Sequence, residues 1–138
     1  MAKFTLTDAF IQVNGVTLSD HGNSVTVEDT REQVDFTAFG ASAKSYGKGL
    51  GDAKITIGFF QDFAAGSVHA TLQPLISSTT PITVEVRATS GARSATNPAV
   101  VMSALLFNYS ALSGGIGEAS TMTAEFVNAG NGITYPTS

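Results

Sequence analysis

The residues with the most evident chemical potential lie in a glycine- and lysine-rich segment, residues 40–51, GASAKSYGKGLG. Glycines beside a lysine are typical of phosphate-binding loops, in which backbone N–H groups and a helix N-terminus contact the phosphates. That chemistry requires a Ser or Thr directly after the lysine and a helix after the loop. Here Gly49 follows Lys48, and the residues after Asp52 alternate as a strand does. The segment therefore predicts a long loop between two strands, residues 40–52, and no phosphate site.

Other reactive side chains are scattered along the chain. His21 and His69 have no second candidate ligand four residues away, so they predict no metal-binding helix face. Four carboxylates cluster without the spacing of a calcium loop, and we interpret them as a solvated acidic turn: Glu28, Asp29, Glu32 and Asp35. No Gly-x-Ser-x-Gly motif is present, and no serine stands near a candidate base in the sequence. We expect no catalytic residue, no metal, no cofactor and no enzymatic activity.

The composition limits the class of protein. The chain has 138 residues, which predicts a single domain, residues 1–138, able to bury its own core. Only 13% of the residues are charged, about half the usual fraction, so we expect a surface that contacts other proteins or the Thr-rich surface of a secreted β-protein. A net charge of -4 disfavours binding to a phosphate backbone. No run approaches the ~20 apolar residues that span a bilayer, and we expect neither a membrane partner nor a secretion signal.

Short alternating segments separated by turn residues predict a mainly β protein. Residues 1–19 are predicted to form a β-ribbon, which includes the alternating residues 4–7 and turns at Asn14-Gly15. Later strands are predicted around residues 25–28, 34–38, 55–59, 82–88 and 122–126. Residues 129–138 are predicted to be a C-terminal extension, either loose or a short last strand.

Two segments depart from simple alternation. Val68, Leu72 and Leu75 are spaced as one face of a helix, which we predict at residues 64–76, with Asp62 as its N-cap and a distortion at Pro74. Residues 100–107 are apolar on both faces, so this strand is either central in the fold or in contact with another protein. On the second interpretation its candidate inter-subunit residues are Val100, Met102 and Leu106.

The order of elements around the glycine-rich segment resembles the tail-tube, or major tail, proteins of long-tailed bacteriophages and related tail-like machines. The resemblance rests on residues 34–37 (VDFT) and 39–40 (FG), a loop ending in residues 49–52 (GLGD), and a strand at residues 54–62 (KITIGFFQD). It covers residues 24–128. It implies an antiparallel β-sandwich or half-barrel with one short flanking α-helix.

The resemblance also implies a function and a set of residues. Six copies would form a ring, and stacked rings would form the tube through which DNA leaves a virion. The loop would contact the next ring through Gly40, Lys44, Tyr46, Gly47, Lys48, Gly49, Leu50 and Gly51. Acidic residues on polar strand faces, Glu28, Glu85 and Glu125, would line the lumen and let DNA pass without specific binding. Expected partners are further copies and other virion proteins, and the expected location is the phage tail, after assembly in the host cytoplasm.

Two other functions remain open at this point. A capsid decoration protein or a head–tail joining protein can also be a small β-protein that polymerises on a virion. A free β-sandwich binding domain belongs to a different class. The absence of tryptophan counts against carbohydrate binding, because sugar-binding surfaces favour stacked aromatic side chains.

Overall fold

Seven strands form one antiparallel sheet in the computed structural model, which describes residues 5–138. In chain order they are β1 (Phe10–Val13), β2 (Val16–Thr17), β3 (Gly22–Asp35), β4 (Tyr46–Phe60), β5 (Ile82–Arg87), β6 (Ala99–Tyr109) and β7 (Thr121–Thr134). Their order across the sheet is β2-β1-β5-β6-β7-β4-β3, and the sheet does not close into a barrel. The prediction of a mainly β, antiparallel fold with one short helix is confirmed.

The core lies on one face of this sheet. Alternate residues of β4 and β7, such as Ile57, Phe59 and Phe126, point to this face and are fully buried. The helix α1 (Val68–Leu72) covers them with Val68 and Leu72. Each of these large side chains contributes about 1.5–3 kcal/mol by leaving water, so the short helix is held by packing rather than by its own length.

The helix is shorter than the predicted range of 64–76. It begins at Val68 and ends at Leu72, and a 3-10 turn follows at Gln73–Leu75. Pro74 lacks the N–H that an α-helix would use, which accounts for the predicted distortion. Ser67, not Asp62, is the N-cap residue. The Asp62 carboxylate instead accepts a hydrogen bond from the Ala64 N–H, 2.9 Å away, in the turn that precedes the helix.

The N-terminal hairpin turns where the sequence predicted. Asn14 and Gly15 have φ of 51° and 82°, as a two-residue type I′ turn requires, and they join β1 to β2. The predicted ribbon of residues 1–19 is too long, because residues 5–7 are not in a strand. Residues 1–4, and with them Phe4, lie outside the described residues. The other edge of β1 pairs with β5, which joins the hairpin to the sheet.

Strand β6 is a central strand. It pairs with β5 on one side and with β7 on the other, so its backbone hydrogen-bonding groups are in use on both sides. Met102 and Leu106 are buried in the core, and Val100 packs against it. The structure thus corrects the prediction of an inter-subunit strand at these three residues: they hold this chain's own core together.

The C-terminal segment belongs largely to the sheet rather than to a separate extension. Strand β7 continues to Thr134, and Ile133 lies opposite Met102. Between this pair and the next one, Ala104 opposite Asn128, the register shifts. There the Asn128 side chain accepts hydrogen bonds from the N–H groups of Gly130 and Gly132, each at 3.0 Å. This hydrogen-bonded irregularity lets β7 resume its pairing, so residues 129–134 form a strand, the second of the two predicted alternatives.

Candidate functional site

A long β-hairpin extends beyond the rest of the sheet. Strand β7 pairs with β4 only from Lys54 to Phe60, whereas β3 pairs with β4 out to Asp35 and Tyr46. We call residues 29–53 the arm. With few exceptions its residues are exposed, because no third strand lies beside it. The arm is thus a two-stranded ribbon that projects from the sheet.

The glycines of the arm lie in a strand, which corrects the predicted loop of residues 40–52. Gly47, Gly49 and Gly51 alternate along β4, and side chains of the neighbouring strand lie directly over them. The Phe36 ring covers Gly47, and Glu32 and Val34 cover Gly49. These glycines make room for packing on one face of the ribbon rather than providing a flexible loop.

The opposite face of the same strand carries the side chains between the glycines. Tyr46, Lys48 and Leu50 alternate with the glycines and therefore point the other way. All three are exposed, Leu50 at 83% of its surface. An exposed aromatic, an exposed aliphatic side chain and a lysine on one face of a projecting ribbon make a contact surface for another protein.

The loop between the strands is confined to the tip of the arm, residues 36–45. The N–H of Phe36 donates to the Ser45 carbonyl at 2.8 Å, and the Ser45 N–H donates to the Thr37 hydroxyl at 2.8 Å. The Asp35 carboxylate accepts the Thr37 N–H at 2.9 Å. Beyond these bonds Phe39 is fully exposed. The tip is therefore closed at its base and presents Phe39 and Lys44 outward.

Two of the three predicted lumen carboxylates lie together on the face of the sheet opposite the core. Glu28 is opposite Lys54 in the β3–β4 pair, and the Lys54 Nζ lies 3.2 Å from Glu125 Oε1. The Asn108 side chain donates to the other oxygen of Glu125 at 3.0 Å. That hydrogen bond, together with Lys54, lowers the pKa of Glu125 below its usual value. The Glu125 carboxylate is therefore held ionised on this face.

Glu85 does not belong to that set, although it lies on the same side of the sheet. Only 8% of its surface is exposed, and its oxygens accept hydrogen bonds from Arg93 at 2.7 and 3.2 Å. Arg87 Nε lies 3.5 Å away. The hydrogen bond from Arg93 lowers the pKa of Glu85 despite the opposing effect of burial. Its charge is neutralised within the chain, so the structure corrects its assignment as a lumen carboxylate.

A polar cluster that the sequence did not predict joins the start of β3 to the segment before α1. His21 Nδ1 lies 2.9 Å from Asp20 Oδ1, and His21 Nε2 lies 2.9 Å from Asp62 Oδ2. Ser67 Oγ donates to the same Asp62 oxygen at 2.8 Å and lies 3.5 Å from His21 Nε2. Asp20 and His21 lie more than 40 residues before Asp62 and Ser67, so no local motif could have revealed that the two pairs meet.

The cluster contains a serine, a histidine and an aspartate but not the geometry of a nucleophilic triad. A serine nucleophile passes its proton to the histidine that acts as its base. Here the serine proton is directed to Asp62, and the same carboxylate faces His21 Nε2, which must then donate rather than accept. The arrangement suits a tie between two elements.

No group of three metal-ligating side chains occurs within residues 5–138. The four carboxylates predicted to form an acidic turn all lie on strand β3 instead. One of them, Asp29, accepts hydrogen bonds from Arg31 and from Tyr135. In the part of the chain that the structure describes, no helix is long and apolar enough to cross a membrane.

The sheet has two edges of very different length. The edge strand β2 has two residues, whereas the edge strand β3 has 14. A long free edge presents unpaired N–H and C=O groups that can pair with a strand of another chain. The charged residues on this strand are the sequence signal that could have identified it as an edge, because edge strands are rich in charge: Glu28, Asp29, Arg31, Glu32 and Asp35.

Comparisons with known proteins identify this fold in large assemblies. No protein-family model matches the sequence, and no curated protein sequence matches it. The structure is similar to a chain of an extracellular contractile injection system, the PVC sheath–tube complex in its extended state, with a TM-score of 0.72 and 10% identity over 99% of this chain and 93% of that one.

Two further similar chains come from gene transfer agent particles. One, from the virion of the native particle, has a TM-score of 0.71 and 11% identity over 94% of this chain and 95% of that one. The other, from the tail of the empty particle determined with C6 symmetry, has a TM-score of 0.69 and 11% identity over 93% of both chains. The chain therefore has the fold found in these tail and sheath–tube assemblies, and the predicted resemblance is confirmed at the level of fold.

Proposed function

We propose that this chain is a tail-tube subunit of a phage or phage-like particle, with six copies in a ring and the rings stacked into a conduit for DNA. The observation that carries the proposal is the arm: a closed two-stranded ribbon of mostly exposed residues that projects from a fold found in tail assemblies. An isolated two-stranded ribbon is marginally stable in water, so contacts with another subunit would supply what the arm lacks.

The free edge of β3 supports ring formation. Its 14 residues offer a row of backbone hydrogen bonds to a neighbouring copy, which would continue the sheet from one subunit to the next. The low charged fraction of the chain suits a surface that is mostly interface. Within each copy, β6 would then serve the core and β3 would serve the ring.

The polar face of the sheet supports a lumen-lining role. Glu28 and Glu125 lie there with Lys54 and a background of threonines, and Glu85 is withdrawn into an ion pair. A face with an excess of carboxylates would repel the phosphates of passing DNA and would offer them no specific binding site. The role is structural rather than enzymatic, in a virion assembled in the host cytoplasm, with further copies and other virion proteins as partners and no membrane.

The test is to shorten the arm tip. Replacing residues 37–44 with Asn-Gly leaves Phe36 and Ser45, which already share a backbone hydrogen bond, on either side of a two-residue turn. We expect unchanged circular dichroism and thermal unfolding, because the tip contributes nothing to the core. In sedimentation velocity the native chain should form species larger than one ring, and the shortened chain should stop at single rings.

Two outcomes would oppose the proposal in different ways. A native chain that remains monomeric at high concentration would contradict ring formation. Stacks of normal length from the shortened chain would contradict the role of the arm. Defined trimers would instead favour a capsid decoration protein.

A further inference from the structure

Two turns of the same kind present exposed apolar side chains at two places in the structure. In the first, Ala41 N–H donates to the Ala38 carbonyl at 3.3 Å, and Gly40 has φ of 86°. In the second, Glu118 N–H donates to the Gly115 carbonyl at 3.2 Å, and Gly117 has φ of 81°. A positive φ at the third residue is the requirement of a type II turn. The second residues, Phe39 and Ile116, are both fully exposed.

The two turns lie at opposite ends of the molecule. Strand β3 begins opposite Phe59 and ends opposite Tyr46 at the arm tip. Its 14 residues span about 45 Å at the usual rise of a strand. The loop of residues 110–120 lies at the far end, because β7 begins opposite Phe60 and the Gln61 N–H donates to the Ser120 carbonyl. We call residues 110–120 the distal surface.

The distal surface is held in shape by its own hydrogen bonds. The Glu118 carboxylate accepts the Gly115 N–H at 3.0 Å, and the Thr121 N–H donates to the Ser113 carbonyl at 3.0 Å. Beside the turn lies an open pocket of about 340 Å³, lined by Leu112, Glu118 and the small residues between them. Leu112 is exposed along with Ile116. An apolar and an acidic side chain thus line one shallow, open depression.

The charges of the two ends are opposite. The arm tip, residues 36–45, carries Lys44 and no carboxylate, whereas Glu32 and Asp35 lie on the adjoining β3. The distal surface carries Glu118, and no lysine or arginine occurs in residues 110–120. Complementary charges on two surfaces favour their encounter and fix their relative orientation.

We infer that the distal surface is the docking site for the arm tip of a second copy of this chain, an inference that rests on the proposed stacking. Phe39 packs against Leu112 and Ile116, and Lys44 of the arm tip faces Glu118 of the distal surface. Such a contact joins two different surfaces, so it repeats from copy to copy without closing on itself. It therefore builds a stack of rings of open length.

The experiment uses two full-length variants, each with one disabled end. The tip variant carries Phe39→Ser and Lys44→Ser, and the distal variant carries Ile116→Ser and Glu118→Gln. A glutamine at residue 118 can still accept the Gly115 N–H, so the turn is kept. Asp8→Asn is the matched control, because it removes the same charge from an exposed residue outside the arm, the distal surface and β3, and an asparagine can still accept the Ser90 hydroxyl.

Electron microscopy and sedimentation velocity should give stacks for the native chain and the control, and single rings for each variant alone. An equimolar mixture should give particles of two rings and no more, since only one tip and one distal surface in each pair are intact. The docking site would be overturned if the distal variant alone still stacked, or if the mixture stayed as single rings. Absence of rings in the native chain would instead count against the proposed function.

Discussion

His21 is the side chain whose charge most affects the contacts between elements. Partial burial lowers its pKa, but the hydrogen bonds to Asp20 and Asp62 and the charges of both carboxylates outweigh burial, so the pKa of His21 lies above 6.5. Hydrogen bonds from the Ala64 N–H, Ser67 and His21 lower the pKa of Asp62 below 3.8. The tie is therefore strongest when the imidazole is protonated and the carboxylate is ionised.

The sign of the pH dependence follows from these two shifts. The contribution of His21 is complete below about pH 6.5 and is lost as the pH rises through its folded pKa. The contribution of Asp62 is present above about pH 3.8 and is lost as the pH falls through its folded pKa. We predict that the free energy of unfolding, measured with urea, falls between pH 6 and pH 8.

His21→Gln and Asp62→Asn should both flatten that decline. Asp20→Asn should flatten it less, since the Asp20 side chain is 83% exposed and that of Asp62 is 34% exposed. An equal slope in the native protein and in His21→Gln would show that the tie does not depend on protonation.

Glu85 provides a second prediction at the residue scale. Glu85→Ala leaves Arg87 and Arg93 without their carboxylate, and losing hydrogen bonds to a buried charge costs about 1.5–3 kcal/mol. Glu28→Ala, on the exposed part of β3, should change the free energy of unfolding by less than about 0.5 kcal/mol. Equal costs in urea titrations would contradict the burial of Glu85.

The sequence could not separate Glu85 from Glu28. Both alternate with valines, which predicts a polar strand face for each. What distinguishes them is Arg93, which lies in the loop after β5 and folds back over Glu85. Alternation along one strand reports the face on which a side chain lies, and it carries no information about the loop that covers that face.

At the scale of elements, the arm shows why its glycine-rich sequence predicts a loop where the structure has the start of β4. Gly47, Gly49 and Gly51 alternate perfectly, yet glycine gives no hydrophobic signal and is depleted in strands. The information that makes this segment a strand lies in the side chains packed over the glycines from β3. The sequence predicted a loop at residues 40–52, whereas the structure has a hairpin whose loop is confined to residues 36–45.

The arm yields a prediction that separates assembly from folding. An added methyl group in Gly47→Ala would collide with the Phe36 ring, which can swing away into solvent. We expect a thermal unfolding temperature within about 2 °C of the native value, because the site is exposed and outside the core. Stacking should weaken, since Phe36 and the tip are displaced.

Gly91→Ala is the control for this variant. A methyl group at Gly91 would make only ordinary contacts, with Thr89 Oγ1 at 3.5 Å, in a loop away from the arm. Sedimentation should therefore show native stacks for Gly91→Ala and shorter ones for Gly47→Ala. Identical stack lengths would mean that the Phe36–Gly47 packing has no role in assembly.

At the scale of the whole molecule, periodicity predicted the class of fold and left the arrangement of strands open. Residues 100–107, apolar on both faces, are typical of a central strand, and β6 is one. Pairing with β5 and β7 uses both backbone edges of β6, and a contact of its outer face with another protein stays a prediction. The same order of strands places β3 at the edge of the sheet, where its outer backbone groups have no neighbouring strand in this chain.

The central claim is that copies of this chain form six-membered rings that stack into an open tube. Electron microscopy of the purified chain at high concentration measures it most directly, because end-on views count the subunits and side views reveal the stacking. We predict six-fold rings around a central channel, in tubes of variable length. Monomers alone at every concentration, or closed particles without a channel, would contradict the claim.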